Sequence, residues 1–245
     1  MRSDIGSAPG LKAAPGHSSA PGPETAAGSA PQVAAGSGPA AGPAAPAGWM
    51  SAGLAADLAA RRLPLEPVEI TAGVLHLRPW KLSDAEAVFR ACQDPEIPRW
   101  TRVPVPYTQG HAEDFVCRQA PDAWATATGA PLAVVDATTE ELLASVALQE
   151  MTDEGDAELA YWCAAGARGR GVTTAAAAAL LRWGFGALGL ERVEWRAAVG
   201  NHASRRVAEK LGFTLDGTLR GAVVLGDGAR HDCWIGSRLA TDPPV

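Results

Sequence analysis

The fold is decided around the stretch Arg168-Gly169-Arg170-Gly171-Val172-Thr173, a segment rich in glycine and arginine between two regular elements. Before it, residues 157–163 (AELAYWC) alternate in part between apolar and polar side chains and indicate a strand. After it, the Ala-rich run 174–188 repeats its large apolar side chains at helical spacing, and residues 192–199 (RVEWRAAV) indicate another strand. This strand–loop–helix–strand order predicts that the two strands lie parallel in one sheet.

Further strands surround this central unit, and short turns connect them. They are predicted at 74–77, 132–136, 142–148, 219–225 and 231–239. The last two flank Gly226-Asp227-Gly228, which predicts a closing hairpin. We therefore predict an α+β domain with a mixed, mostly antiparallel central sheet, one parallel strand pair and flanking helices.

Capping signals place the remaining helices of the domain. Ser83 is expected to cap a helix, with Glu86 three residues further on, and Asn201 is expected to cap a helix that runs to Leu211. Another helix is predicted at 109–119. The segment 94–108 is dense in proline and aromatic residues, so we expect an ordered loop there.

Composition divides the chain before this domain begins. Residues 1–48 are almost entirely Ala, Gly, Pro and Ser, so they bury too little apolar surface to offset the entropy of ordering. We predict a disordered tail over 1–48, a linker with a short helix (51–63) over 49–70, and one compact domain over 71–240. Met50 is an alternative translation start.

Charge and cysteine content exclude several classes of protein. The net charge of −6 argues against a general nucleic-acid binder, and no apolar run predicts a membrane span. The four cysteines are far apart and form no C-x-x-C pair, so neither a metal site nor a disulfide framework is expected. Buried free thiols are typical of a reducing compartment, so a cytoplasmic location is predicted.

The segment 168–173 has the properties of an anion cradle. Glycines allow a sharp backbone turn and keep Cβ atoms away from a ligand, while the following helix start offers unpaired N–H groups. The positive end of the helix dipole and the arginines favour a phosphate or pyrophosphate group. An ordinary turn is the alternative, and neither a Walker loop nor G-x-G-x-x-G is present.

Several motifs together resemble those of the GNAT acetyltransferases. They are RGRGVT, LERVEWR (190–196) and NHASRRVAEKLGF (201–213). Further motifs resemble the ribosomal-protein N-acetyltransferases within that superfamily: LRPW (77–80), DPEI (94–97), PVPYT (104–108) and AELAYW (157–162). The resemblance covers residues 73–240 and implies a GNAT-like sheet whose parallel strand pair splays apart.

The resemblance also implies that acetyl-CoA is the co-substrate, without a metal. Arg168, Gly171 and Thr173 fall on the first, fourth and sixth positions of the family's pyrophosphate signature, Gln/Arg-x-x-Gly-x-Gly/Ala. Thr173 departs from that pattern, and its hydroxyl either lies near the phosphates or caps the helix. The fourth predicted strand, around Tyr161-Trp162-Cys163, would pair its backbone with the pantetheine arm, and one of its N–H groups would polarise the thioester carbonyl.

Two residues of the 201–213 motif receive roles through the same resemblance. Asn201 would contact CoA in addition to capping its helix. Ser204 shares a face with Val207 and Leu211, which places it on the inward side of the helix. The family's serine at this place is proposed to protonate the departing CoA thiolate; simple backbone hydrogen bonding is the alternative for Ser204.

A base is needed because the amine must lose a proton. A protein α-amine has a pKa of about 8, so a weak base acting through water is sufficient. Glu158 is the first candidate and Glu150 and Asp153 follow; each is otherwise a solvated carboxylate. An acetyl-cysteine intermediate on Cys163 is disfavoured because the thioester is already activated.

The sequence therefore predicts direct acetyl transfer from acetyl-CoA to a primary amine, foremost a protein N-terminus. The acceptor is expected to enter beside the segment 94–108 and the final hairpin. The alternatives are a small-molecule or antibiotic acetyltransferase and a non-catalytic acyl-CoA-binding sensor. No nucleic-acid or membrane partner is expected, and a monomer and a homodimer both remain open.

Overall fold

The structure is a computed structural model that describes residues 63–244. The predicted tail (1–48) and all but the last residue of the helix predicted at 51–63 lie outside the described residues. No helix in this described part is long and apolar enough to cross a membrane.

A single mixed sheet of eight strands organises the domain, in the order β1-β2-β3-β4-β5-β6-β8-β7. The strands are β1 (Ile70–Ala72), β2 (Leu75–Arg78), β3 (Ala130–Asp136), β4 (Leu142–Gln149), β5 (Asp156–Cys163), β6 (Arg192–Ala198), β7 (Thr214–Val224) and β8 (Arg230–Leu239). The neighbours β5 and β6 run parallel, and the other neighbouring pairs are antiparallel. The predicted α+β class and the single parallel pair are confirmed.

Helices cover both faces of the sheet. They are α1 (Ala85–Cys92), α2 (Glu96–Trp100), α3 (Gln109–Asp114), α4 (Ala120–Ala125), α5 (Val172–Gly186) and α6 (His202–Lys210). One core lies under α5, whose small Ala176 and Ala177 are fully buried and allow the helix to approach the sheet closely. The approach is close enough that a Cβ on Gly184 would lie 2.8 Å from Leu148 Cδ1. The second core lies on the opposite face, under α1 and α3.

Two local predictions on that second face are wrong. The loop expected at 94–108 contains α2, because Pro95 and Pro98 occupy positions at and near a helix N-terminus where no N–H partner is required. The helix expected at 109–119 is confirmed: α3 and a π-turn (Phe115–Gln119) cover these residues, and the chain continues into α4, which has Pro121 in its first turn.

The second wrong prediction is the Ser83 cap with Glu86. Leu82–Asp84 form a 3₁₀ turn, and the Asp84 carboxylate accepts the Lys81 N–H at 2.8 Å in place of the predicted cap. The same carboxylate receives two hydrogen bonds from Arg78, at 2.8 and 2.9 Å. Burial alone would raise the pKa of Asp84, but the Arg78 and Lys81 hydrogen bonds outweigh it and hold that pKa below its usual value. The arginine of LRPW therefore anchors α1 to β2 through a buried ion pair.

The parallel strands β5 and β6 separate partway along their length. Their pairing runs from Asp156–Arg192 to Leu159–Trp195. Beyond that point, residues 160–163 pair with β4 and residues 196–198 pair with β8. The splay implied by the sequence resemblance is therefore present, and it opens the sheet at its centre.

Candidate functional site

A cavity of about 1090 Å³ occupies this splay and reaches both faces of the sheet. On one side, it is lined by the segment after β5 and by α6; on the other, by residues of α2, the segment after it, and α3. Leu219 and Val223 of β7 also contribute, so the final hairpin borders the cavity as expected. A molecule in this space would contact groups from both faces.

The glycine segment forms one wall of the cavity. Gly169 and Gly171 have φ of +74° and +79°, and a Cβ built on either would meet nothing within 4 Å. Gly171 is also the N-cap of α5, so the first N–H groups of that helix follow it directly. The observed start places Thr173 in the first helical turn, so its alternative role as the cap is wrong. These features fit a compact anion such as a pyrophosphate.

The two arginines of this segment differ in position. Arg168 lines the cavity, where its Nε donates to Cys163 O at 3.2 Å and its Nη2 lies 2.5 Å from Asp94 Oδ2. Arg170 is not among the lining residues, and its Nη1 donates to Gly166 O at 3.5 Å. Asp94, which the sequence analysis assigned no role, therefore orients the arginine that faces the cavity.

The backbone of β5 supplies polar groups to the splay. The Ala164 N–H donates to Leu143 O on the β4 side, so regular alternation directs the backbone groups of Tyr161 and Cys163 toward the gap left by β6. The Trp162 side chain points to the opposite face and packs against Trp80, with ring centroids 6.3 Å apart. Tyr161 and Cys163 thus offer backbone groups to a ligand, whereas the Trp162 side chain contributes to the core.

A hydrogen-bonded cluster surrounds Ser204 on the α5–α6 face. Asn201 caps α6 as predicted, and its Oδ1 accepts the Ser204 N–H at 3.1 Å. Ser204 Oγ lies 2.8 Å from Tyr161 Oη and receives the Trp195 Nε1–H at 2.9 Å. Burial raises the pKa of Tyr161 to about 12, so its phenol stays protonated at neutral pH.

Glu158 lies on the opposite face of β5. Its side chain is 12% exposed, Gln149 Nε2 donates to its Oε1 at 3.1 Å, and Arg196 Nε lies 3.7 Å from its Oε2. Burial, followed by the charge of Glu150, raises the pKa of the Glu158 carboxyl, and Arg196 and the other nearby groups that lower it offset only part of that shift. The site therefore contains a carboxylate that is easier to protonate than an ordinary glutamate.

The other candidates from the sequence lie in different settings. Glu150 lines the cavity at the end of β4, whereas Asp153 lies in the turn that follows and is not among the lining residues. The Cys163 thiol contacts Leu143 O at 3.7 Å. Of the two neighbouring arginines, Arg205 forms an ion pair with Glu209, and Arg206 lines the cavity.

Sequence reasoning missed Trp195, Gln149 and Arg196 as members of this site. Alternation along 192–199 puts Trp195 on the same face as Val193 and Ala197, and all three are buried, but the pattern carried no sign of its Ser204 contact. Gln149 is directly opposite Glu158 in the β4–β5 register. Only the strand register could have revealed that pair.

Comparison with known proteins gives consistent results. The profile of the family described as Acetyltransferase (GNAT) domain matches residues 75–214. A Bacillus subtilis (strain 168) protein, YdaF, whose name proposes a ribosomal N-acetyltransferase, is 42% identical over 76 residues. That match covers 31% of this chain and 41% of YdaF, which is less than two thirds of that relative's length.

Solved structures share the architecture. Mycobacterium smegmatis RimJ, determined in complex with CoA-disulfide, has a TM-score of 0.64 and 24% identity, over 75% of this chain and 93% of that one. The ribosomal-protein-S5-alanine acetyltransferase of Vibrio fischeri has a TM-score of 0.64 and 19% identity, over 71% of this chain and 98% of its own. At these identities the likeness demonstrates a shared fold.

Proposed function

Because the chain belongs to the GNAT acetyltransferase domain family, we propose that it transfers the acetyl group of acetyl-CoA to the α-amine of a protein N-terminus. The observation that carries this proposal is the cavity at the β5–β6 splay. It has a hydroxyl cluster on one face of the sheet and a buried carboxylate on the other. Proton donor and proton acceptor thus lie on opposite sides of the place where acetyl-CoA and the amine would meet.

The residues present fit CoA. The open cradle at Gly169 and Gly171, with the start of α5 and Arg168, suits the pyrophosphate. The backbone groups that Tyr161 and Cys163 direct to the gap suit the amides of the pantetheine arm. One of those N–H groups would stabilise negative charge on the thioester oxygen during attack. Asn201 and Val172 complete this wall of the site in the proposal, while Arg170 and Thr173 would contribute charge and a hydroxyl nearby.

Glu158 would accept the proton of the incoming ammonium group. At neutral pH roughly a tenth of a protein α-amine is already deprotonated, so a base needs only modest strength. The raised pKa of Glu158 brings it closer to that of the amine, which makes proton transfer more favourable. Gln149 donates a hydrogen bond to one oxygen of the Glu158 carboxylate, and the other oxygen lies 3.7 Å from Arg196 Nε.

Ser204 would protonate the departing sulfur. The amine nitrogen forms a bond to the acetyl carbon, the carbon–sulfur bond breaks, and the sulfur takes the Ser204 proton. Glu158 releases the amine proton to water, and Ser204 regains one from water. The products are an N-acetyl amide and free CoA.

Two observations support a protein N-terminus as the acceptor class. The YdaF name proposes a ribosomal N-acetyltransferase, and the Vibrio fischeri structure bears the name of an enzyme acting on a ribosomal-protein alanine. The cavity also opens beside Trp100, Arg102 and Tyr107, side chains able to contact a peptide backbone and its side chains. We also propose that residues 71–240 form the catalytic domain, and that a linker (49–70) and a tail dispensable for folding (1–48) precede it.

The test is CoA release from acetyl-CoA with a panel of amines, followed by mass spectrometry of the product. The panel contains peptides that begin with Ala or Ser, the same peptides with a blocked N-terminus, polyamines and aminoglycosides. We expect turnover with the free peptides alone, and acetylation at the α-amine. Turnover restricted to polyamines or aminoglycosides would contradict the protein acceptor. CoA binding without turnover of any amine would contradict the enzymatic proposal and indicate a sensor.

A further inference from the structure

Trp195 is a buried tryptophan whose polar atom contacts two residues that line the cavity. It lies on β6, its side chain is 2% exposed, and it is among the lining residues. Its Nε1–H donates to Ser204 Oγ at 2.9 Å and lies 3.2 Å from Tyr161 Oη. An indole N–H is a donor only, so the direction of both contacts is fixed.

The two contacts decide which way the Ser204 proton can point. A serine oxygen has two lone pairs and one proton. The Trp195 N–H fills one lone pair, and the Tyr161 hydroxyl, 2.8 Å away, can fill the other. The Ser204 proton then has no acceptor among the described protein groups near it, and it is free to turn into the cavity.

A second arrangement competes with this one. The Tyr161 hydroxyl can instead donate to the Ser204 backbone oxygen at 3.2 Å, and the Ser204 proton then points at Tyr161 Oη. Trp195 occupies the same lone pair of Ser204 in both arrangements. Negative charge growing on a sulfur in the cavity favours the first, because only that arrangement presents a proton to it.

We propose that Trp195 is a positioning residue for acetyl transfer: with Tyr161, it fills the lone pairs of the Ser204 oxygen and directs the Ser204 proton to the sulfur of the departing CoA. The inference rests on the proposed function. It adds two side chains, on β5 and β6, whose hydrogen bonds reach the reaction through Ser204. In the transfer step the carbon–sulfur bond breaks and the sulfur gains the Ser204 proton, which water later replaces.

The variant that tests this is Trp195→Phe, which keeps an aromatic ring in the core and removes the N–H. Trp124→Phe is a matched control, because Trp124 is 4% exposed, donates its Nε1–H to Pro131 O at 3.2 Å and lies outside the cavity lining. Trp195→Phe removes an N–H that two oxygens share, and Trp124→Phe removes an N–H bonded to one oxygen, so both should lower thermal stability. Only the first changes Ser204.

The first readout is the pKa of the thiol of bound CoA. It is measured by titrating the thiolate absorbance of the complex of protein and CoA, without any acceptor. A directed Ser204 proton stabilises the thiolate, so Trp195→Phe and Ser204→Ala should both raise that pKa, whereas Trp124→Phe should leave it unchanged. The second readout is kinetic. Trp195→Phe should lower kcat about tenfold with little change in the KM for acetyl-CoA, the pattern of an interaction made in the transition state.

The double variant completes the test. If Trp195 acts through Ser204, then Trp195→Phe in a Ser204→Ala background should cost nothing further in kcat. Two results would overturn the inference. One is a kcat of the double variant that is lowered by the product of the two single losses; the other is a thiol pKa in Trp195→Phe that stays unchanged, as in the Trp124→Phe control. Should Trp195→Phe fail to fold, Tyr161→Phe removes a single hydroxyl and must produce the same two shifts. Absence of turnover by the parent protein would contradict the proposed function instead, since the thiol titration needs no acceptor.

Discussion

Replacement of Gly171 by alanine separates the backbone's role in folding from its role in binding. Gly171 has φ of +79°, a region that costs an L-residue about 1–2 kcal/mol. A Cβ there would meet no protein atom within 4 Å, so no steric cost adds to this strain in the free protein. Gly171→Ala should therefore fold, with a free energy of unfolding lower by about 1–2 kcal/mol.

The expected effect on CoA is larger than this strain suggests. Gly171 lines the cavity and caps α5, so the added methyl group would occupy space that a phosphate needs in order to reach the helix N-terminus. We expect the Kd for CoA to rise at least about tenfold, or 1.4 kcal/mol, measured by titration calorimetry.

Gly189 provides the matched control for this prediction. It has φ of +70°, its Cβ position is equally open, and it lies just beyond the other end of α5, outside the cavity lining. Gly189→Ala should lose similar stability and keep the parent Kd for CoA. Equal affinities of the two variants would refute the assignment of the Gly171 segment to the pyrophosphate.

Three further predictions concern the base, the arginines and the tail. In the parent protein the acid limb of the kcat/KM profile should lie above the ordinary glutamate pKa, because the pKa of Glu158 is raised, and Glu158→Gln should abolish that limb. Above the raised pKa the buried carboxylate charge lowers stability, so Glu158→Gln should melt at the same temperature as the parent protein at neutral pH, or at a higher one. A retained acid limb would exclude this base. Arg168→Gln should weaken CoA binding about tenfold and Arg170→Gln about twofold or less, because only Arg168 lines the cavity; the reverse order by calorimetry would contradict this. A protein beginning at Met50 should melt within a few degrees of the full chain, and a large loss of melting temperature would show that the tail is not dispensable.

The elements that sequence predicted well are those set by local chemistry. Helix α5 starts beside Gly171 because glycine tolerates positive φ, and α6 starts at Asn201 because an amide oxygen caps the Ser204 N–H. The closing hairpin follows from its Gly-Asp-Gly turn. Each of these signals lies within a few residues of its effect.

What sequence missed depends on which residues meet in space. Helix α2 was hidden by prolines that are harmless near a helix start, and Asp84 replaced Ser83 because Arg78, on another element, required a buried partner. The cluster around Ser204 joins β5, β6 and α6, so no spacing along the chain could predict that an inward-facing tryptophan would bond to it.

The splay between β5 and β6 leaves backbone groups of the sheet without strand partners, and that affects how strongly the protein stays folded. A ligand that fills the gap acts as a missing length of strand, and it binds the native state but not the unfolded chain. At one hundred times its Kd such a ligand adds about 2.7 kcal/mol to the free energy of unfolding. If CoA is that ligand, as the proposed function requires, resistance to proteolysis and to thermal denaturation should rise and fall with the concentration of CoA, and the lifetime of the protein would depend on that concentration.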